Sequence, residues 1–172
     1  QGFGPLPGGI QHLPFNDIDA LEEAFDSDVC AVIVEPVQGE GGGIAAETEF
    51  LERIRSLCDE HQALMILDEV QTGVGRTGSL YAYQAFNVIP DLLTTAKALG
   101  GGVLPSGAVL CKPEFVGESF ALRHTSTFAG NALTARVGVA VLDELTANDG
   151  ALVFVQEGTV TADRAATDAV LD

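Results

Sequence analysis

The chain has 172 residues, 47% of them hydrophobic, with a mean hydropathy of +0.26, enough apolar material to bury the core of one domain. Its 25 acidic residues outnumber 8 basic ones, a formal net charge of −17, so it lacks the basic patch that a nucleic-acid partner requires. No apolar run approaches the roughly 20 residues that cross a bilayer, and the opening QGFGPLPGGIQHLPF has neither a basic nor an apolar leader region, so the expectation is a cytoplasmic protein without a membrane partner.

In chain order, residues 17–28 carry six carboxylates around DIDALEEAF and predict a solvated helix. Residues 29–34 form a β-branched run closed by Glu35 and Pro36, a buried strand. Residues 49–60 place Phe50, Leu51, Ile54, Leu57 and Cys58 at spacings of three and four, an amphipathic helix with Thr48 as its N-cap. The block at 63–67 predicts a second strand, ended by Asp68. Residues 91–95 and 107–111 predict two more. A helix follows over 131–145, with Leu133, Val137, Ala140, Val141 and Leu145 on one side, and a weaker helix after Gly150. Strands apolar on both faces and separated by helices imply an α/β fold, a largely parallel sheet covered by helices. A Gly/Pro-rich start and an incomplete pattern at the end suggest a partial chain.

In such a sheet, ligands gather at the carboxyl ends of the strands. Glu35 and Glu40 follow the first strand, Asp68 the second and Lys97 the third. Lys97, within LTTAKALGGG, has apolar neighbours that would partly desolvate its amine and make it nucleophilic toward a carbonyl. Standing alone it would more readily be read as a lysine at an exposed helix start. Asp68 adds weight, because a carboxylate closing an apolar strand needs a cationic or hydrogen-bonding partner. Pyridoxal phosphate (PLP) presents both demands: an aldehyde for a lysine, and a ring nitrogen that stays protonated opposite an aspartate.

The segment Gly73 to Gly78 also fits G-x-G-x-x-G letter for letter, which raises an NAD-binding oxidoreductase as a remote alternative. A dinucleotide loop opens directly after its strand and leads into a helix, whereas Glu69-Val-Gln-Thr72 intervenes here. Cys30, Cys58 and Cys111 are odd in number and scattered, and read as small buried hydrophobes. With His12, His61 and His124 equally dispersed, no metal site is assigned.

Four blocks, VIVEPVQGEGG (32–42), LDEVQTGVGRTG (67–78), PDLLTTAKALGGG (90–102) and HTSTFAGNAL (124–133), together resemble the class III pyridoxal-phosphate aminotransferases, the acetylornithine, succinylornithine, ornithine and putrescine group. The resemblance implies a fold type I PLP-dependent transferase. Residues 1–146 would be the central part of its cofactor-binding large domain, and 147–172 the helical start of a connection to a C-terminal domain. It implies that Lys97 forms the internal aldimine and shuttles the proton, that Asp68 pairs with the pyridinium nitrogen, that Val70 packs on the ring, and that Gln71 lies near the phenolic oxygen. Ser126 and Thr127 match the phosphate-binding position that reaches a neighbouring subunit's site, implying a homodimer. Glu40 matches a substrate-side glutamate, while Glu35 and Arg76 are expected to be structural. The glycine run then becomes a turn feature of the family.

The activity so implied is transfer of an amino group from an ω-amino donor to 2-oxoglutarate. The phosphate loop and the carboxylate-binding arginine of the family have no match in these residues. An inactive fragment or dimerisation module therefore stands as a second reading, beside a decarboxylase or aminomutase of the same fold.

Overall fold

The computed structural model describes residues 4, 8–116, 126–147, 153–156 and 159–162. A short helix α1 (Ile18–Ala24) precedes strand β1 (Ala31–Val34). Two-residue strands β2 (Val37–Gln38) and β3 (Ile44–Ala45) pair as an antiparallel hairpin. Then come helix α2 (Thr48–His61), strands β4 (Leu64–Asp68), β5 (Leu92–Thr95) and β6 (Ala108–Cys111), and helix α3 (Ala132–Ala147).

Four strands form one sheet in the order β1-β4-β5-β6. The first three are parallel and β6 runs antiparallel at the edge, so the sheet is mostly parallel, as expected of an α/β layer. Helices α1 and α2 cover one face. Leu21 of α1 and Phe50, Leu51, Ile54, Leu57 and Cys58 of α2 are buried against Met65 and Leu67 of β4. Deleting such a side chain typically costs about 2–5 kcal/mol. Along β4 the alternate residues Leu64, Ile66 and Asp68 are only half-buried, so the opposite face is less covered than the sequence suggests.

The acidic helix is shorter than expected. Asp17 caps it by accepting from the Ala20 amide at 2.9 Å, but beyond Phe25 the Asp26 side chain captures the Asp28 amide at 2.8 Å and turns the chain out of the helix. Thr48 is not an N-cap either: Glu47 holds that position without a side-chain bond. The entry to α2 is fixed instead by Asn16, whose amide oxygen accepts from Glu47 N at 3.0 Å and whose amide nitrogen donates to Ala45 O at 3.0 Å. The helix expected over 131–145 is α3, which starts one residue later because Asn131 caps it, its Oδ1 accepting from the Leu133 and Thr134 amides.

After Gly150 the structure contradicts the expected helix. Strands β7 (Val153–Gln156) and β8 (Thr159–Ala162) pair antiparallel there, as β-branched and aromatic residues favour. The remainder of 148–172, and residues 117–125 with His124, lie outside the described residues. Cys58 is the buried hydrophobe expected, and burial pushes its thiol up to about 11; Cys30, by contrast, is exposed.

A charge cluster ties α2 to the sheet. Asp91, which immediately precedes β5, is buried, and its carboxylate accepts from Arg55 Nη1 at 2.8 Å, Lys112 Nζ at 2.5 Å and the Met65 amide at 2.8 Å. Burial alone would raise this carboxyl. The Lys112 ammonium, the Met65 amide and the Arg55 guanidinium outweigh that and hold it below the usual carboxylate range.

Candidate active site

Because β1, β4 and β5 are parallel, their carboxyl ends at Val34, Asp68 and Thr95 share one edge of the sheet. Asp68 sits opposite Thr94 in the ladder, on the half-buried face. Thr94 Oγ1 donates to Asp68 Oδ1 at 3.0 Å, and the Val70 amide donates to the same oxygen at 3.0 Å. Asp68 Oδ2 has no partner among the described residues. One carboxylate oxygen is thereby anchored and the other left available to accept a bond.

Lys97 opens a 3₁₀ turn (Lys97–Gly100) immediately beyond this edge. Its φ of +45° places an ordinary L-residue in the left-handed region, a strained backbone of the kind found at functional sites. Its ammonium donates to Gln71 Oε1 at 2.9 Å. Lys97 is exposed, contrary to the desolvation expected from its neighbours, since those apolar groups are engaged elsewhere: Leu99 lies against Gly138 of α3. The hairpin turn joins the site from β2, because a Cβ on Gly39 would collide with the Gln71 carboxamide. Glu40, the next residue, is exposed in that turn.

Glu69 and Thr94 are the residues that reading the sequence missed. Glu69 follows Asp68, so strand alternation sends it to the opposite face, where it is fully buried. Its Oε2 accepts from Thr72 Oγ1 at 3.0 Å and the Ala82 amide at 2.7 Å, and its Oε1 from the Tyr83 amide at 2.8 Å. Burial pushes this carboxyl above the usual carboxylate range against the pull of those three donors. A second acidic residue at the end of an apolar strand was the available signal. Thr94 offers none until the β4–β5 register is known.

The glycine run is a succession of turns in which Val74, Gly75 and Gly78 have φ of 60°, 86° and 93°. Val74 N and Gly75 N both bond Leu80 O, and the next regular element is only a 3₁₀ turn (Ala82–Ala85). No helix N-terminus follows it to receive a pyrophosphate, so the run does not have the form of a dinucleotide loop.

The structure brings Asp68, Val70, Gln71 and Lys97 together, with Glu40 one residue from the contact at Gly39. Ser126 and Thr127 lie exposed in the turn before α3 and make no side-chain bond to that group among the described residues.

The model of the aminotransferase class-III family matches residues 1–157. The chain belongs to the class III aminotransferases. Its relatives in this family include the acetylornithine aminotransferase of Pseudomonas putida and the succinylornithine transaminase of Salmonella typhi, each 54% identical over 143 residues. Those residues are 83% of this chain and 35% of each relative, so the chain spans about a third of their length. Among solved structures, the ornithine aminotransferase of Toxoplasma gondii aligns with a TM-score of 0.78 at 39% identity, covering 86% of this chain and 35% of that one. That structure is described as showing partial occupancy of PLP at its active site.

Class III aminotransferases are PLP enzymes, and the groups present fit that cofactor. A carboxylate with one anchored and one available oxygen suits a protonated ring nitrogen, and a primary amine at the same sheet edge suits the aldehyde.

Proposed function

We propose that this chain forms the cofactor-holding part of an aminotransferase that moves an amino group from an ω-amino donor of the acetylornithine, ornithine or putrescine class to 2-oxoglutarate. The carrying observation is the pairing of Asp68, with Oδ1 doubly anchored, and Lys97, bonded to Gln71, at adjacent strand ends. Within this reading residues 1–146 belong to the cofactor-binding domain, and the enzyme is a cytoplasmic homodimer. Among the described residues no helix is long and apolar enough to cross a membrane.

Pyridoxal phosphate, when bound, supplies an electron-withdrawing ring that stabilises negative charge on the substrate carbon. Asp68 Oδ2 would accept a ring N–H and favour its protonated form, while the Val70 amide and Thr94 hydroxyl hold the carboxylate in place through Oδ1. Lys97 Nζ would hold the cofactor's aldehyde carbon, and the same amine, placed at the strand end, would serve as the base and acid for the proton on the substrate carbon. Gln71 Oε1 gives that amine a resting acceptor, and the Gln71 amide N–H₂ would be the group that donates to the cofactor's phenolic oxygen. On this reading Val70 would pack on the ring, Ser126 and Thr127 would bind phosphate across the dimer, and Glu40 would meet substrate from the hairpin turn.

The direct test is the visible spectrum of the purified protein with PLP, followed by borohydride reduction and peptide mapping. A cofactor band with the label fixed on Lys97 supports the reading; a label confined to Lys112 defeats it. Asp68→Asn is expected to retain cofactor while lowering turnover about a hundredfold or more, the scale of losing one preorganised electrostatic partner. Steady-state kinetics beside the cofactor spectrum checks this. Thr127→Val is expected to weaken cofactor affinity about tenfold, the worth of one hydrogen bond to a charged group, and to loosen the dimer with it. Titration with PLP and sedimentation measure the two together, and unchanged affinity removes Thr127 from the phosphate site.

A further inference from the structure

We infer that Glu69 is a positioning residue for this site: its buried carboxylate clamps the loop that presents Gln71 to the Lys97 amine. The inference rests on the proposed reading of Lys97 and Asp68, but it concerns a group that takes no part in the chemistry.

A fully buried carboxylate is costly unless its oxygens are satisfied. Here they take three donors from both sides of the glycine turn: Thr72 three residues on, and the Ala82 and Tyr83 amides thirteen and fourteen residues on. The Glu69 carbonyl also accepts from the Gly73 amide at 2.9 Å, and a Cβ on Gly73 would lie 2.8 Å from that oxygen and 2.9 Å from the Tyr81 ring. Local preference does not shape this loop, since Val74 is a β-branched residue held at φ 60°. The clamp shapes it. Gln71 lies between Glu69 and Thr72, two residues that bond each other, and its carboxamide bonds Lys97. Adjacent carboxylates on opposite faces of one strand end thus divide the work. Asp68 faces the reacting side, and Glu69 fixes from behind the segment bearing Val70 and Gln71.

Glu69→Gln keeps the volume but turns one acceptor into a donor. In either orientation of the amide, its N–H₂ faces a backbone N–H, that of Tyr83 or that of Ala82, and the loop is released.

The readout is competitive acylation of the intact, cofactor-free protein with acetic anhydride, taken by peptide mass spectrometry as the ratio of Lys97 to Lys112. Lys112 is held by Asp91 and serves as internal reference. Gln71→Ala sets the scale: once its acceptor is lost, Lys97 is acylated about threefold faster relative to Lys112. Glu69→Gln is expected to give a rise of similar size, and the double variant no more than Gln71→Ala alone. Thr72→Val, which removes one donor but leaves the carboxylate, is expected to give a smaller rise in the same direction and serves if Glu69→Gln does not fold. A lower melting temperature with an unchanged ratio in Glu69→Gln or Thr72→Val would make Glu69 merely structural and overturn the inference. An unchanged ratio in Gln71→Ala would overturn it too. Both results leave the assignment of Lys97 to the borohydride mapping, because no cofactor is present in the labelling.

Discussion

Replacing Lys97 with alanine is expected to abolish covalent attachment of PLP and to lower transamination by about 10⁴-fold, the upper range for removing a positioned general base, with the attached nucleophile lost as well. The fold should survive. Lys97 is exposed, the one bond of its side chain among the described residues is to another side chain, and its strained backbone contributes nothing to stability. Absorbance of the bound cofactor, single-turnover kinetics and thermal melting separate these effects. A yellow, active Lys97→Ala protein would end the assignment. The residual rate is expected to rise with added small amines, which restore a primary amine without its tether, whereas a lysine needed only for folding would show no such rescue.

The largest effect on stability is expected at Asp91. Asp91→Ala removes a buried carboxylate from between two cations and leaves the Met65 amide without its acceptor, so a loss of about 3 kcal/mol is expected. This is the low end for a broken buried pair, because Arg55 keeps Asp59 at 2.7 Å and Lys112 can turn to water. Asp91→Asn, which retains one acceptor for Met65, should lose less. The pH dependence gives a second signature. Burial opposes ionisation of Asp91, but its donors hold the folded carboxyl below the ordinary 3.8, so on acidification the unfolded chain takes the proton first. The stabilisation is therefore complete above about pH 3.8 and disappears as pH falls through the lower folded value. Urea unfolding across that window should show the wild-type advantage over Asp91→Asn shrinking toward acid. Glu69, whose folded carboxyl is raised, contributes with the opposite sign, but it is common to both proteins and cancels in the difference.

Much of this arrangement was legible before any coordinates. The 3.6-residue period of Phe50, Leu51, Ile54, Leu57 and Cys58 marks the helix that covers the sheet, and the apolar run ending at Asp68 marks the strand that carries the site. The placement of Asp68 and Lys97 was also readable, because an amine and a carboxylate after successive apolar runs fall at the carboxyl ends of neighbouring strands. What could not be read depended on pairing. The β2–β3 hairpin has two residues on each side, too few for a pattern, yet it brings Gly39 to Gln71. Thr94 becomes a ligand of Asp68 only through the β4–β5 register. The side of the strand end taken by Glu69 follows from the twofold alternation that also fixes Asp68, but its three donors lie across a loop whose left-handed residues no local rule specifies. The exposure of Lys97 has a similar cause, since its apolar neighbours in sequence are not all its neighbours in space: Leu99 packs on Gly138.

The left-handed backbone at Lys97 places chemistry and folding in competition at a single residue. Glycine adopts that conformation freely, while any side chain there costs about 1 kcal/mol or more. Selection for thermal endurance alone would therefore favour glycine at position 97 and remove the amine that the proposed reading assigns to the cofactor. On that reading the amine is kept at the cost of a local strain that the rest of the fold must offset.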